Sequence, residues 1–168
     1  MIATIHVEAW KAAYAGIVPD EFLDSLSIDR RESTWRQYLS TGTADAWVAI
    51  ESETIVGWIS ISASRDADSI ESTGEITAVY VKPGHWGRGL GRLLCDTAVQ
   101  HLHLRGFIEV TLWVLAENER AVNFYRANGF VLDVGQGKIL ERGGKALPDV
   151  RFRKPLSSVE VCGTCPVK

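Results

Sequence analysis

Apolar residues repeat along this chain with two different periods. At the amino end the spacing is three to four residues, which predicts a helix over residues 2–14. Pro19 fits the first turn of a short second helix. Residues 29–39 predict a third helix with Trp35 and Leu39 on one face. The amino-terminal segment is therefore expected to be helical.

The period changes to two further along the chain. Residues 46–50 and 54–62 are β-rich runs that flank Glu51-Ser52-Glu53, and this arrangement predicts a hairpin. Residues 64–72 are polar and predict a loop, and residues 75–81 form a third β-rich run. The middle of the chain should therefore contribute three sequential strands.

Helices and strands alternate in the remaining sequence. Residues 90–104 give the clearest helical pattern, with a predicted buried stripe of Leu90, Leu93, Leu94, Thr97, Ala98, His101 and Leu102. A strand over residues 108–115 and a helix over 119–127 follow. Residues 130–134 and 149–153 predict two final strands joined by a glycine-rich turn. This order indicates an α/β protein of the α+β type with a largely antiparallel sheet.

Length and composition narrow the class of protein. The 168 residues suit one domain, predicted to span residues 1–155, with residues 156–168 as a carboxyl-terminal tail. Hydrophobic residues are 46% and charged residues 23%, as in soluble globular proteins. The net charge of −3 argues against nucleic-acid binding, and no apolar run is long enough for a membrane span. The amino end also lacks a signal-peptide pattern, so we expect a cytoplasmic protein.

The three cysteines carry a weak chemical signal. Cys95 lies in a predicted helix and is expected to pack as a small hydrophobic residue. Cys162 and Cys165 have the spacing of a redox pair or of half a zinc site. No strand and helix surround them and no second such pair exists. We therefore expect a tail without metal, and a redox or metal role is the alternative.

A glycine-rich loop carries the strongest chemical signal. The run of residues 75–81 leads into a loop with glycines at 84, 87, 89 and 91, and this loop opens the helix at Leu90. Backbone N–H groups at such a helix start favour a phosphate or pyrophosphate, and Arg88 and Arg92 add positive charge. No Gly-Lys-Ser/Thr follows, so this is not a P-loop, and the glycine spacing of two differs from the dinucleotide fingerprint. Tight packing alone is the alternative explanation.

A second motif runs from Asn118 to Phe130 and reads Asn-x-x-Ala-x-x-Phe-Tyr-x-x-x-Gly-Phe. With the segment from Trp86 to Gly91, it resembles the GNAT superfamily of N-acetyltransferases. The resemblance covers about residues 46–154, and residues 10–20 resemble a helix pair of one bacterial branch. Trp86 stands where the family usually has Gln or Arg in its pyrophosphate motif. The family usually begins with a short strand, whereas this sequence begins in the predicted first helix, so we expect that edge strand to be missing or supplied otherwise.

The resemblance implies a mixed, largely antiparallel sheet flanked by helices and a reaction with two substrates. Acetyl-CoA would be the donor, and a primary amine would attack it directly in a ternary complex. The expected partners are a small-molecule amine or a protein N-terminus. The chain could also form a homodimer. The residues that the resemblance assigns to cofactor binding are Val79, Val81, Trp86, Gly87, Arg88, Gly89, Leu90, Gly91, Arg92, Asn118 and Tyr125.

The resemblance also assigns catalytic roles. Glu75 lies where the family often places a carboxylate base, and Tyr125 is the family's usual acid for the leaving thiolate. A phenol with a pKa of ~10 can protonate a thiolate with a pKa of ~8.5. Trp10, Tyr14 and Glu75 are expected to contact the acceptor.

Other interpretations remain for these residues. Glu71 and His85 are alternative bases, and Glu75 could be a solvated charge at a strand end. Tyr125 could be a packing residue on an amphipathic helix. For the whole chain, the alternative is a CoA-binding sensor or interaction domain without catalysis.

Overall fold

The computed structural model describes residues 1–42 and 45–156, and Cys162 and Cys165 lie outside these ranges. Three helices come first and alternating strands and helices follow. Their bounds are α1 (Ile2–Ala13), α2 (Asp20–Asp24), α3 (Ile28–Thr41), β1 (Asp45–Glu51), β2 (Thr54–Ala63), β3 (Thr73–Val81), α4 (Leu90–Leu104), β4 (Glu109–Leu115), α5 (Glu119–Ala127), β5 (Val131–Arg142) and β6 (Lys145–Pro155). A short 3₁₀ turn at Pro83–His85 precedes α4.

The six strands form one sheet in the order β1-β2-β3-β4-β6-β5. Only the β3–β4 pair is parallel, and the other pairs are antiparallel. This confirms the predicted mixed, largely antiparallel architecture. In this order β1 and β5 are the two edge strands of the sheet.

Helices cover both faces of the sheet. Val114 belongs to the larger hydrophobic cluster, which includes α4 and α5 residues, whereas Leu115 belongs to a smaller cluster with Val18 and Leu23. Successive strand residues point to opposite faces, so these two clusters lie on opposite sides of the sheet. One face therefore carries α4 and α5, and the other carries α1 and α2.

The buried stripe of α4 differs from the predicted one. Leu94, Cys95, Ala98 and Leu102 are buried, which confirms Cys95 as a packing residue, but Leu93 is 60% exposed. His101 is half-buried and its ring lies 4.4 Å from the Trp47 ring. The apolar face of α4 is wider than the part of the helix that contacts the sheet. The orientation of the helix on the sheet therefore decided which of the apolar residues became buried.

The last two strands are longer than predicted. The connection is a glycine-rich turn as predicted but shorter, because β5 continues to Arg142, β6 begins at Lys145, and the turn is Gly143 and Gly144, both with positive φ. Gly135, with φ +87°, lies where the β5–β6 register shifts, so it marks a bulge rather than a turn. The hairpin end packs on the α1–α2 connection, where Lys145 Nζ donates to the Ile17 carbonyl at 2.8 Å.

None of the helices in the described ranges has the length and apolar content needed to cross a bilayer.

Candidate active site

Strands β3 and β4 separate after a short pairing. Their parallel register runs only from Thr73 beside Glu109 to Glu75 beside Thr111. Both strands continue beyond that point, β3 to Val81 and β4 to Leu115. The two strands are not paired there, so a gap opens in the middle of the sheet.

The main chain of β3 lines this gap. Lys82 N–H donates to the Val56 carbonyl on the β2 side at 2.8 Å. Backbone polar groups of successive strand residues alternate between the two edges, so those of Val79 and Val81 face the gap. Unpaired backbone groups on a strand can form hydrogen bonds with an extended ligand that carries amides.

The glycine loop connects β3 to the start of α4. Gly87 and Gly89 have φ of +74° and +82°, a region that side chains with a Cβ rarely adopt, and Gly89 is the N-cap of α4. Gly91 has a different requirement, because a Cβ there would lie 3.2 Å from the Phe124 ring. The loop therefore presents the free N–H groups of the first α4 turn at the gap.

A cavity of about 400 Å³ lies between this loop and α5. All predicted cofactor residues line it except Arg88 and Asn118. Arg88 lies 3.6 Å from the Glu51 carboxylate, and Arg92 lies 3.7 Å from Asp96. His85, an alternative base, also lines this cavity, and its Nε2 lies 3.1 Å from Glu51.

Tyr125 lies at the junction of two cavities. It lines the large cavity and also a second one of about 110 Å³ on the α1 side of the gap. Burial raises the pKa of this phenol well above its usual value, and nearby Cys95 and Tyr14 act in the same direction. No described residue forms a hydrogen bond with its hydroxyl. The phenol is therefore protonated at neutral pH and free to donate to a bound group.

The second cavity is lined by phenol groups of opposed elements. Tyr14 ends α1 and Tyr80 belongs to β3, and both line this cavity with Asn118. Trp10 Nε1 donates to the Tyr80 hydroxyl at 2.8 Å, so Trp10 lies behind Tyr80 and does not line the cavity itself. Burial raises the pKa of Tyr14 and of Tyr80, so both remain protonated donors.

Asn118 and Tyr14 are neighbours in the lining of the second cavity. The Asn118 Oδ1 accepts the Ala121 N–H at 3.1 Å and caps α5, so its amide NH₂ is the group left to meet Tyr14. Burial is the main cause of the raised pKa of Tyr14, and the neighbouring Tyr80 and Asn118 side chains act in the opposite direction. The Tyr14 hydroxyl hydrogen is then available for a molecule in the second cavity.

Trp86 forms part of the wall between the cavities. Its Nε1 donates to the Val81 carbonyl at 2.7 Å, and the Arg120 guanidinium stacks 3.2 Å from the centre of its ring. Both Trp86 and Arg120 line both cavities. The Val81 carbonyl is therefore already paired within the protein, which leaves the Val81 N–H and the Val79 groups for a ligand.

Glu75 is held away from Tyr125. Its carboxylate accepts from Arg65 Nη2 at 2.7 Å and from Arg65 Nε at 3.1 Å, and only 4% of the residue is exposed. It lies where β3 still pairs with β4, before the gap opens, and it lines neither cavity. The structure thus brings Tyr125, Tyr14 and the loop together but leaves Glu75 outside.

Tyr80, Trp113 and Arg120 line the second cavity and were not predicted from the sequence as site residues. Tyr80 and Trp113 lie on strands where an aromatic side chain is an ordinary core residue, so no local signal marks them. Arg120 occupies a variable position inside the Asn118–Phe130 motif, and its place in that motif was the available signal. No group of three or more metal-binding side chains is placed to hold an ion among residues 1–42 and 45–156.

Relatives of this chain include acetyltransferases that align over most of its length. The uncharacterized N-acetyltransferase YuaI of Bacillus subtilis (strain 168) is 29% identical over 126 residues, which cover 75% of this chain and 70% of that protein. The spermidine N(1)-acetyltransferase of Thermoplasma acidophilum is 26% identical over 135 residues, which cover 77% of this chain and 80% of that protein.

The fold also matches solved structures. The crystal structure of PaiA N-acetyltransferase from Thermoplasma acidophilum in complex with coenzyme A superposes with a TM-score of 0.70. It is 23% identical and covers 91% of this chain and 89% of its own. The sequence profile of the acetyltransferase (GNAT) family matches residues 7–130. With the separated β3 and β4 strands and the glycine loop before α4, this match shows that the chain belongs to the acetyltransferase (GNAT) family.

Proposed function

We propose that this protein transfers the acetyl group of acetyl-CoA to a primary amine of a small molecule, with both substrates bound at the β3–β4 gap. The observation that carries this proposal is the position of Tyr125, whose phenol lies where the two cavities meet. One cavity suits the cofactor and the other suits the acceptor. Their meeting point is where the thioester and the amine would react.

The cofactor would lie across the glycine loop and along β3. The pyrophosphate would bind the N–H groups at the start of α4, with charge support from Arg88 and Arg92. The pantetheine amides would pair with the Val79 carbonyl and the Val81 N–H. Asn118 would act through Tyr14 and the α5 cap rather than through the large cavity.

The reaction would proceed by direct attack. The neutral amine nitrogen forms a bond to the thioester carbon, and the carbonyl oxygen becomes an oxyanion that the Val79 N–H stabilises. The C–S bond then breaks and its electron pair leaves with the sulfur. Tyr125 gives its proton to this thiolate, and the second proton, which the attacking nitrogen loses as the amide forms, restores the phenol through solvent.

Glu75 is the proposed acceptor of the amine proton, and the proton would reach it through water. Its carboxylate lies outside both cavities, so no direct transfer to it fits the geometry. Proton uptake also requires the pair with Arg65 to open, and 69% of the Arg65 side chain is exposed, which permits that movement. His85 and solvent remain the alternative acceptors of this proton.

The acceptor would bind in the second cavity. Tyr14 donates into it, and Trp10 supports this site by holding Tyr80 in place. A volume of about 110 Å³ fits a slender aliphatic amine better than a folded protein N-terminus. The spermidine N(1)-acetyltransferase among the relatives supports a small amine. The cytoplasm is the proposed compartment, since a free thiol such as that of Cys95 is typical of reducing conditions.

An acetyl-transfer assay with a panel of amines tests this function. Release of the CoA thiol that depends on the added amine, together with a product heavier by one acetyl group, is the expected result. Binding of CoA without turnover of any amine would favour the non-catalytic CoA-binding domain. Absence of CoA binding would contradict both.

A further inference from the structure

Asp149 is a buried carboxylate with an incomplete set of partners. It lies on β6 and is 5% exposed, and no described residue donates a hydrogen bond to its side chain. Its one ion contact there is Lys138 Nζ, at 3.8 Å from Oδ2, which is longer than a hydrogen bond. A nearly buried carboxylate without donors is costly, so this position favours a cation that approaches more closely than Lys138 does.

Trp113 contacts the same lysine as Asp149. Its Nε1 donates to both oxygens of Asp66, at 3.0 and 3.2 Å, and this fixes the orientation of the ring. The Lys138 ammonium lies 3.8 Å from the centre of that ring. An aromatic face beside a carboxylate attracts an ammonium group, and here a side chain of the protein itself supplies one.

Trp113 and Asp149 lie beside the second cavity, the proposed binding site of the acceptor. Trp113 and Tyr14 both line that cavity, and Asp149 is close enough to Tyr14 for its charge to raise the pKa of the phenol. Lys138 approaches from β5, directly opposite Asp149 in the strand register, and 44% of its side chain is exposed. Lys138 forms no hydrogen bond with a described residue, and its contacts with Asp149 and the Trp113 ring are the ones that an ammonium group of a ligand would replace.

We propose that Trp113 and Asp149 form a subsite for a second, non-reacting ammonium group of the acceptor, and that Lys138 fills this subsite in the free protein. The proposal rests on the function proposed above and narrows the acceptor to molecules with two or more amino groups. The reacting amine occupies the second cavity while the distal ammonium displaces Lys138. Lys138 competes with the distal ammonium of the acceptor for the subsite. The apparent affinity for the acceptor is therefore reduced in proportion to the fraction of protein molecules in which Lys138 has left the subsite.

The test compares α,ω-diamines of increasing length with monoamines of the same carbon number. Assays run well above pH 6, because burial raises the pKa of Asp149 to about 6 and the subsite needs the carboxylate. Lys138→Ala should lower the KM of the best diamine by roughly three- to tenfold relative to its matched monoamine. Lys138→Arg keeps a competing cation and should retain the wild-type ratio of the two KM values.

Asp149→Asn and Trp113→Leu provide the reverse test. Each should raise the ratio of diamine KM to monoamine KM by roughly tenfold. Calorimetric titration of the diamine into the full-length protein gives a readout that does not need turnover, and Lys138→Ala should bind it more tightly than wild type. An unchanged ratio in Lys138→Ala and Asp149→Asn, with unchanged calorimetric affinity, would overturn the subsite.

Failure of the function gives a different result. If no amine is acetylated, the proposed transferase activity is wrong, while the calorimetric comparison of Lys138→Ala with wild type still decides the subsite. If monoamines and diamines are acetylated equally by every variant, the transferase activity stands and the subsite is wrong.

Discussion

The indole of Trp86 donates a 2.7 Å hydrogen bond to the carbonyl of Val81, the last residue of β3. Trp86 occupies the position at which the glycine motif of this family usually has Gln or Arg. The indole joins the loop to the strand from which it leaves, and Arg120 packs over the same ring. The side chain thus connects the β3 edge, the loop and α5.

Replacing Trp86 should loosen this connection. Trp86→Phe keeps a ring for Arg120 but loses the donor, and we expect a loss of about 0.5–1.5 kcal/mol in the free energy of unfolding. If the loop holds the cofactor as proposed, the KM for acetyl-CoA should rise more than kcat falls, because the loop would contact the cofactor both before and during the reaction. Chemical denaturation and initial rates measure both effects. Trp86→Gln retains an N–H donor and is the matched comparison, and equal behaviour of the two variants would contradict a role for the hydrogen bond.

Gly89 should tolerate no Cβ. Its φ of +82° is strained for any other residue, although an added Cβ would meet no atom within 4 Å. Gly89→Ala should therefore cost about 1 kcal/mol of stability and weaken CoA binding, measured by thermal shift and titration. Gly84→Ala lies in the same loop, has open space and no positive φ, and should behave as wild type. Equal CoA affinity in both variants would contradict a role of the Gly89 backbone in cofactor binding.

Tyr125→Phe should lower kcat by roughly 10²–10⁴-fold while CoA affinity and stability stay near wild type. The ring remains to pack against Phe124 and Phe130, whose ring centres lie 5.2 and 5.8 Å away. Stopped-flow measurement of the chemical step is the decisive readout. Tyr38→Phe removes a phenol outside both cavities and should leave kcat unchanged. An unaltered chemical step in Tyr125→Phe would return this residue to a packing role.

Glu75→Gln should depress the rate at neutral pH and recover as pH rises. The amine has a pKa of ~10, so at high pH it loses its proton without a base. A pH–rate profile with the best acceptor measures this effect, and Arg65→Gln serves as the control because it frees Glu75 without removing it. A defect that is constant with pH would indicate positioning. No defect would leave the proton to solvent, Glu71 or His85.

Asp149→Asn should stabilise the protein in a pH-dependent way. Burial raises the pKa of Asp149 from 3.8 to about 6, against the opposing charges of Lys138 and Arg142, and the Tyr14 phenol also lies nearby. The folded state therefore binds the proton more tightly than the unfolded state, and the contribution to stability is complete below pH 3.8 and is lost as pH rises through 6.

An asparagine does not ionise, so the advantage of the variant should grow over this range, to at most ~3 kcal/mol above it. Denaturation curves at several pH values measure it. Asp24→Asn, at an exposed position, reports the effect of charge removal alone. A difference between Asp149→Asn and wild type that does not change with pH would contradict the raised pKa.

The sequence by itself determined the order of the helices and strands, the family, and the position of the glycine loop. The two hydrophobic periods, the glycine run before Leu90 and the motif from Asn118 to Phe130 are local features. Helix, strand and tight-turn geometry depend mostly on neighbouring residues, so these features could be interpreted without the fold. The local pattern was least informative where glycines occur inside a strand, and there the β5–β6 hairpin differed from the prediction.

Only the tertiary structure decided how the side chains meet. Trp10 and Tyr80 are 70 positions apart, and the pair that Glu75 forms with Arg65 depends on the path of the loop after β2. Lys138 reaches Trp113 and Asp149 because the register of β5 on β6 places it there. A one-residue change of register would turn each side chain to the other face of the sheet, and no local pattern specifies that register. Contacts of this kind therefore follow from the packing of distant segments, and the chemistry of the acceptor site depends on them.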